Sequence, residues 1–226
     1  MKDLPVELPA GLKIGAVTKR EDPCDVLVSR EGQSLMALPS DARVGTSSLR
    51  RLAQILYLRK DLQVLDLRGN LDTRIRKLEQ GLYDAIVLAY AGVKRLGIKN
   101  KITPIPLEDI LPQAGQGALA IEIRASDQET DKFVKELNDP DTRLCTEAER
   151  ALLLGLGGGC QVPIGVCARV DNYQIFLKAG VFSLDGKVAL KDEICAEKNN
   201  ACQIGKALAD NLLKKGAKQI LDGIHA

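Results

Sequence analysis

The sequence predicts an α/β protein with a parallel or mixed sheet covered by helices on both faces. A smaller α+β domain, an antiparallel three-stranded sheet backed by helices, is expected to follow it. Two features of the pattern predict this. Between residues 41 and 97, apolar strand patterns alternate three times with helical patterns, which is typical of parallel strands covered by helices. Beyond Pro140 a helix, three successive strand patterns and a final helix indicate the antiparallel sheet.

The first region is built from three units of a strand and a helix. Each strand is a short apolar run, and each helix has apolar residues at helical spacing. The turns after the strands fall at residues 46–48, 68–70 and 89–90, and ligands of such sheets bind beyond the carboxyl ends of the strands. In chain order the expected elements are a strand over 43–45, a helix over 48–58, a strand over 63–67, a helix over 72–79, a strand over 84–89 and a short helix that ends near Gly97.

The second region begins after a break in the pattern. Pro104, Pro106 and Pro112 interrupt it before a glycine-containing segment at 113–117, which predicts a crossing between domains with a hinge near Gly115. Two later turns, Asp171-Asn172 and Asp185-Gly186, are hairpin signals. The expected elements are a strand over 119–123, a helix over 142–154, strands over 163–170, 174–182 and 187–195, and a final helix over 201–215.

Composition narrows the class of protein. The chain has 226 residues, 45% of them hydrophobic, so it can bury a sizeable core. Its formal net charge of +2 argues against a generally polycationic nucleic-acid binder. Because no apolar run approaches the roughly 18 residues of a membrane span and the start does not resemble a signal peptide, we expect no membrane contact and a cytoplasmic location. Six cysteines without a CxxC pair and one histidine, His225, predict neither a disulfide framework nor a zinc site.

An anion site is predicted where the first helix begins. Residues 44–51 read Val-Gly-Thr-Ser-Ser-Leu-Arg-Arg, so small hydroxyl residues and unpaired backbone N–H groups precede two arginines. Arg50 and Arg51 oppose the helix macrodipole and destabilise the helix unless an anion compensates them. The alternative is that Ser47 or Ser48 is a simple N-cap and both arginines are solvated.

Further cations converge on the same edge of the sheet. Arg68, Arg74 and Arg76 flank the end of the second strand, and Lys94 and Arg95 lie after the third. Each of them alone fits an exposed surface charge, but their shared location suits a polycarboxylate ligand. Guanidinium groups pair with carboxylates in a bidentate manner, so the predominance of arginine supports this interpretation.

A cysteine within a glycine-rich segment is the second candidate. Residues 157–163 read Gly-Gly-Gly-Cys-Gln-Val-Pro, which is neither a P-loop nor a dinucleotide-binding fingerprint. Glycines without side chains could leave the Cys160 thiol accessible to another group. The alternative is a buried cysteine in a tight turn. Near the start, the Lys2-Asp3 pair reads by composition as a solvated pair at a frayed terminus.

Together these segments resemble the hydroxymethylbilane synthase (porphobilinogen deaminase) family. The similarity extends over essentially all 226 residues, and the motifs follow in the family's order and spacing. They are Met-Lys-Asp-Leu-Pro-Val-Glu at 1–7, Arg-Glu-Asp-Pro at 20–23, Val-Gly-Thr-Ser-Ser-Leu-Arg-Arg at 44–51, Leu-Arg-Gly-Asn at 67–70, Tyr-Asp-Ala-Ile-Val-Leu-Ala at 83–89, Lys-Arg-Leu-Gly at 94–97, Gly-Gln-Gly-Ala at 115–118 and Gly-Gly-Cys-Gln-Val-Pro-Ile-Gly at 158–165.

The resemblance implies a reaction and a set of roles. Four porphobilinogen units would be condensed with loss of ammonia into linear hydroxymethylbilane, on a dipyrromethane cofactor held through a thioether to Cys160. Asp3 would be the catalytic carboxylate that stabilises cationic pyrrole nitrogens. No metal is implied. The residues expected to bind cofactor and substrate are Lys2, Thr46, Ser47, Ser48, Arg50, Arg51, Arg68, Gly69, Asn70, Arg74, Ala89, Arg95, Gln116 and Gly117.

The resemblance also implies a domain organisation. The family has three domains, two of them α/β units that resemble periplasmic binding proteins, with the cofactor loop on the third. Residues 22–116 would form the second domain and 138–226 the third, while 1–21 and 117–137 would be remnants of the first. Full-length members are usually monomeric. We expect an exposed apolar face on the remnants, and a missing N-terminal segment that is needed in trans.

Two alternatives remain open at this stage. One is a non-catalytic module that binds a small carboxylate, since the arginines would serve such a ligand equally well. A covalently attached chromophore on Cys160 would distinguish the enzyme from that module. The other is an inactive fragment of the enzyme that lacks groups of the first domain.

Overall fold

The computed structural model describes residues 1–157 and 162–224, which form three sheets and seven α-helices. The strands are β1 (Leu12–Val17), β2 (Asp25–Ser29), β3 (Arg43–Gly45), β4 (Gln63–Leu65), β5 (Ala85–Ala89), β6 (Ile102–Pro104), β7 (Ala120–Arg124), β8 (Ile164–Asp171), β9 (Gln174–Phe182) and β10 (Ala189–Glu197). The α-helices are α1 (Leu49–Leu58), α2 (Leu71–Glu79), α3 (Tyr90–Arg95), α4 (Gln128–Lys135), α5 (Pro140–Gly155), α6 (Ala201–Lys214) and α7 (Ala217–Asp222). No helix in these two ranges is long and apolar enough to cross a bilayer.

The largest sheet is mixed, as predicted. Its strand order is β4-β3-β5-β2-β6, with β3 parallel to β4 and β5, and β2 antiparallel to β5 and β6. The strands β2 and β6 were not among the elements expected from the sequence. The sequence pattern predicts only a break at Pro104, but a proline is compatible with an edge strand, and β6 lies at the edge.

Helices cover both faces of this sheet, which confirms the predicted architecture. On one face Ile55 of α1 packs with Val44 and Val87 in a buried cluster. On the other face Leu78 of α2 and Val93 of α3 pack with strand residues of opposite parity, such as Ile86. Successive residues of a strand point to opposite faces, so the fully apolar run of β5 serves both clusters.

The C-terminal sheet is antiparallel and three-stranded, with the order β10-β9-β8, as predicted. Helices α5 and α6 cover one of its faces, and fully buried Leu152, Leu177 and Leu208 lie in the core between them. Burying each such leucine contributes about 1.5–3 kcal/mol. Gly205 lets the two helices approach, because a Cβ there would lie 2.4 Å from the carbonyl oxygen of Ala148.

Helix α1 also contacts the opposite face of the C-terminal sheet. The ring of Tyr57 lies edge-on to Phe182, with centroids 5.9 Å apart, and Nζ of Lys191 lies 5.2 Å from the centre of the Tyr57 ring. Gly186, in the hairpin between β9 and β10, lies against the backbone of Leu56 and Tyr57, where an added Cβ would be 2.4 Å from the Leu56 carbonyl carbon. This helix therefore connects the large sheet to the C-terminal sheet.

Strands β1 and β7 form a separate antiparallel pair with α4 beside it. They bring together the two segments that we expect to belong to the first domain, 1–21 and 117–137. Large apolar side chains remain exposed here: Leu119 is 61% exposed, Phe133 73% and Leu137 56%. The assignment of these segments, and of 22–116 and 138–226, to three domains remains a prediction.

Candidate active site

Three predicted turns meet at one edge of the mixed sheet. Since β3 is parallel to both β4 and β5, the carboxyl ends of all three strands point the same way, and Thr46, Arg68 and Tyr90 follow them. The antiparallel strand β2 brings its amino end to the same edge, where Asp25 lies opposite Ala89. The edge therefore carries a carboxylate as well as the expected cations.

The start of α1 is organised by hydroxyl groups. The Ser48 side chain is the N-cap and accepts from the N–H of Arg51 at 3.5 Å, while Oγ1 of buried Thr46 accepts from the N–H of Ser48 at 3.2 Å. Ser47 is exposed. Because the first N–H groups of a helix have no partner inside it, this turn can bind an anion. The capping role of Ser48 is thus present beside the arginines.

Arg50 and Arg51 are buried and share one carboxylate. Asp25, which is fully buried, lies 2.8 Å from Nη2 of Arg51 through Oδ1 and 2.8 Å from Nη1 of Arg50 through Oδ2. Each arginine also donates to a main-chain carbonyl, Arg50 to Leu111 at 2.6 Å and Arg51 to Val87 at 3.0 Å. An anion does compensate these arginines, and it comes from the chain itself.

The electrostatics of this cluster favour a further anion. Burial alone would raise the pKa of Asp25, but the charges of Arg50 and Arg51 hold that pKa well below its usual range. One carboxylate against two guanidinium groups leaves one positive charge without a counter-ion in the cluster. In the described part of the chain, Nε of Arg50, Nε of Arg51, Oε1 of Gln116 and Oδ2 of Asp25 are buried without a hydrogen-bond partner, although Oδ2 is within ion-pair distance of Arg50. Burying polar atoms without hydrogen-bond partners costs free energy, so a ligand that supplies the missing partners is favoured.

Gln116 connects the cluster to a cavity. Its Nε2 donates to Oδ1 of Asp25 at 2.9 Å and to the carbonyl of Pro23 at 2.6 Å. The cavity has a volume of about 630 Å³. Six of the predicted site residues contribute to its lining: Lys2, Asp3, Ala89, Arg95, Gln116 and Gly117. A second cavity, of about 600 Å³ and lined partly by residues of β8, β9 and β10, includes none of the predicted residues.

The charged residues of the cavity differ in environment. Asp3 is exposed, whereas burial and the nearby charge of Arg51 lower the pKa of Lys2. Gly117 has φ of +86°, and a Cβ there would lie 2.3 Å from the carbonyl oxygen of Glu21, so the wall at this point cannot carry a side chain. The structure thus places a carboxylate, an ammonium group and a bare backbone segment on one cavity.

The turn before α2 is less closely associated with the cluster. Asn70 caps α2 by accepting from the N–H of Thr73 at 2.9 Å, and Gly69 has φ of +120°. The Arg68 side chain is 84% exposed and pairs with Asp66 at 3.0 Å. Arg74 donates from Nε to the Gly69 carbonyl at 2.8 Å, and its pKa is lowered by burial and by the charge of Arg51. None of these four predicted residues lines the cavity.

Cys160 lies outside the described residues, and so does His225. The second described range begins at Val162, and Gly165 of β8 packs on Leu111, where an added Cβ would lie 2.5 Å from the Leu111 Cβ. The carbonyl of Leu111 accepts from Arg50. The strand that follows the cysteine segment is therefore in contact with the residue that holds one of the two buried arginines.

A second buried ion pair holds the segment that lines the cavity. Glu149 of α5 is fully buried and pairs with Arg20, whose Nη1 lies 2.6 Å from Oε1. Glu149 also accepts from the N–H of Gly115 at 2.7 Å and from the N–H of Ala168 at 2.8 Å. Arg20 donates from Nε to the Gln116 carbonyl at 2.9 Å. This pair connects α5, β8 and residues 115–116.

Sequence reasoning missed both Asp25 and Glu149. Asp25 could have been suspected, because it is a carboxylate immediately before the apolar run 26–28 of a buried strand, and a buried charge requires a partner. Glu149 gives no comparable signal, since a glutamate in a helix such as α5 is usually exposed.

Comparisons with known proteins identify the family of the chain. A family model described as "Porphobilinogen deaminase, dipyromethane cofactor binding domain" matches residues 1–132, and one described as "Porphobilinogen deaminase, C-terminal domain" matches 143–214. The chain is 50% identical to a porphobilinogen deaminase of Pelotomaculum thermopropionicum over 98% of this chain and 71% of that protein. It is also 50% identical to one of Carboxydothermus hydrogenoformans over 100% of this chain and 73% of that protein.

Among solved structures, a periplasmic binding protein from Brucella ovis with glutathione bound aligns with a TM-score of 0.38 at 14% identity, over 64% of this chain and 43% of that one. The family assignment does not depend on that alignment, because the two family models and the two relatives together cover nearly all of the sequence. The chain belongs to the porphobilinogen deaminase family.

Proposed function

We propose that this chain is a hydroxymethylbilane synthase, a transferase that condenses four porphobilinogen units, with loss of four ammonia molecules, on a dipyrromethane primer. Addition of one water molecule then breaks the bond to the primer and releases linear hydroxymethylbilane. The observation that carries the proposal is the cluster of Asp25, Arg50 and Arg51 beside the 630 Å³ cavity. Porphobilinogen carries two carboxylates, and a buried cluster with one uncompensated positive charge is suited to bind one of them.

The residues present also fit the dipyrromethane cofactor, which is itself a polycarboxylate. We infer that its carboxylates are held by Arg50, Arg51 and Arg95 and by the hydroxyls and N–H groups of Thr46, Ser47 and Ser48 at the start of α1. Gln116 offers a buried carbonyl oxygen without a donor, as a pyrrole N–H would require. When bound through Cys160, the cofactor supplies the pyrrole terminus to which each substrate unit is added.

The remaining roles follow from charge. The carboxylate of Asp3 lies on the cavity wall, where it stabilises positive charge that develops on a pyrrole nitrogen as ammonia leaves. Lys2, on the same wall, pairs with a ligand carboxylate. The bare backbone at Gly117 lets a flat ring approach the wall closely. Arg68, Gly69, Asn70 and Arg74 complete the outer part of the site.

The intact mass of the purified chain tests the proposal. We expect an added mass equal to two linked pyrroles, and a positive colour reaction with an aldehyde reagent for dipyrromethane. Both should be lost in Cys160→Ser and kept in Cys195→Ser, the matched control, because Cys195 is exposed and free. Loss of the modification in both variants would contradict attachment through Cys160.

An unmodified chain would point to other functions. If the chain stays unmodified when supplied with porphobilinogen or preformed product, it is an inactive fragment or a carboxylate-binding module. Addition of the N-terminal part of a longer relative distinguishes these two possibilities, because an inactive fragment should then acquire the cofactor and a binding module should not. We also place the reaction in the cytoplasm, where thiols such as Cys160 stay reduced, and cell fractionation tests this.

A further inference from the structure

One residue organises the predicted ligand-binding groups without facing the cavity itself. Asp25 is fully buried and, like Arg50 and Arg51, does not line the cavity. Its carboxylate contacts both arginines and also Gln116, which does line the cavity. All three of these partners belong to the set that we propose to bind cofactor and substrate. The comparisons and the sequence motifs assign no role to Asp25.

Each partner is also held at a second point. Arg50 donates to the Leu111 carbonyl, Arg51 to the Val87 carbonyl, and Gln116 to the Pro23 carbonyl. Two anchors fix the plane of a guanidinium or amide group, whereas one anchor leaves it free to rotate. Asp25 is the anchor that all three share, so its removal would free three groups at once.

The fixed planes determine which atoms remain for a ligand. Because Nε2 of Gln116 donates only to acceptors, the orientation of its amide is defined and Oε1 is the atom left without a partner. The Nε atoms of Arg50 and Arg51 are likewise buried and without a partner in the described ranges. One acceptor and two donors are therefore held in a defined geometry.

We infer that Asp25 is a positioning residue, which determines the affinity of the site for the carboxylates of pyrrole ligands by holding Arg50, Arg51 and Gln116 in place. The inference rests on the proposed function, which supplies the ligand. A positioning role and a simple counter-ion role predict opposite changes in anion binding when Asp25 is removed. If Asp25 only neutralised charge, its removal would make the cluster more positive and anion binding tighter. A positioning role makes binding weaker despite the added positive charge.

The test uses the full chain with Cys160→Ser, so that porphobilinogen binds without turnover. Asp25→Asn in that background should raise the dissociation constant for porphobilinogen, measured by calorimetry, at least about ten-fold, because two charge-assisted contacts lose their fixed geometry. Asp84→Asn is the matched control. Asp84 also pairs with two arginines, Arg43 and Arg30, but it lies before β5, at the opposite end of that strand. Its substitution should leave the dissociation constant within about two-fold of the parent, as expected for a distant site.

Asp25→Glu provides a second variant, which keeps the charge but displaces the carboxylate by one methylene. A positioning role predicts weaker porphobilinogen binding for this variant, whereas a counter-ion role predicts unchanged binding. Unchanged or tighter binding by folded Asp25→Asn or Asp25→Glu would overturn the inference. A measurement on the unsubstituted chain covers the case in which both variants fail to fold. The nitrogen-15 NMR signals of Arg50 and Arg51 Nε should then show slow rotation, unlike that of exposed Arg68.

Rapid averaging of the Arg50 and Arg51 signals would likewise overturn the inference. If the Cys160→Ser parent binds no porphobilinogen at all, the proposed function has failed. The NMR measurement still decides in that case whether the two guanidinium planes are held in place. The two failures are therefore distinguishable.

Discussion

Replacing Glu149 by glutamine should destabilise the fold far more than a typical charge substitution. Both carboxylate oxygens are occupied: Oε1 accepts from Arg20 and Ala168, and Oε2 accepts from Arg20 and Gly115. A glutamine must direct its NH₂ group at N–H donors in either orientation. It would also leave Arg20, only 10% exposed, as a buried charge without its partner.

The expected magnitude follows from the burial of this pair. Breaking a buried ion pair by removing one member costs about 3–5 kcal/mol, which is a large part of the total stability of a typical domain. At about 2–4 °C per kcal/mol for a chain of this size, the melting temperature should fall by roughly 6–20 °C. Urea unfolding followed by circular dichroism measures the free energy, and differential scanning calorimetry measures the temperature.

Glu147→Gln is the control for that prediction. Glu147 lies on the same helix, its side chain is 40% exposed, and its distance to Arg143 is 3.8 Å, so its loss should cost no more than about 0.5 kcal/mol. The double variant Arg20→Met with Glu149→Met should recover part of the lost stability, because no buried charge is left unpaired. If Glu149→Gln and Glu147→Gln unfold at the same urea concentration, the reasoning about the buried pair is wrong.

Two further predictions concern the hairpin between β9 and β10. Gly186→Ala should lower the free energy of unfolding by about 2–4 kcal/mol, because φ is +66° and the new Cβ meets the backbone of α1. Gly97→Ala is the control: φ is +69° but no atom lies within 4 Å, so the free energy of unfolding should fall by only about 1 kcal/mol. Equal urea midpoints for the two variants would contradict this prediction. Hydrogen bonds from Ser183 and the Lys187 N–H lower the pKa of Asp185 to about 2, so its contribution to stability is complete above pH about 4 and is lost as the pH falls toward 2. A carbon-13 NMR titration should show that midpoint, and Ser183→Ala should raise it; a midpoint near 4 in the unsubstituted chain would exclude the hydrogen bonds.

Features encoded in short stretches of sequence were predictable. The three units of strand and helix, the turn chemistry at Asn172 and Gly186, and the N-cap at Ser48 each depend on a few neighbouring residues. The same local reading predicted the three-stranded C-terminal sheet and its two covering helices. These patterns fix the edge of the mixed sheet at which the candidate site lies.

Features that depend on distant partners were not predictable in the same way. Strand β2 is antiparallel to its neighbours, and nothing in its own five residues reveals this. The anion required by Arg50 and Arg51 was expected to be a ligand, but Asp25, about two dozen residues earlier, supplies part of the compensation. The pairing of Arg20 with Glu149 spans a still greater separation, so it emerges only from the tertiary structure.

The position of α1 between the two sheets has a consequence for chimeric proteins. This helix is about 15 Å long, with the buried arginines at its start and the Tyr57 surface that receives the Gly186 hairpin at its end. A chimera that exchanged residues 138–226 for those of a relative would replace the hairpin but keep the surface beneath it. Any mismatch would tilt the helix and move Arg50 and Arg51, so the hairpin and the last turn of α1 should be exchanged together.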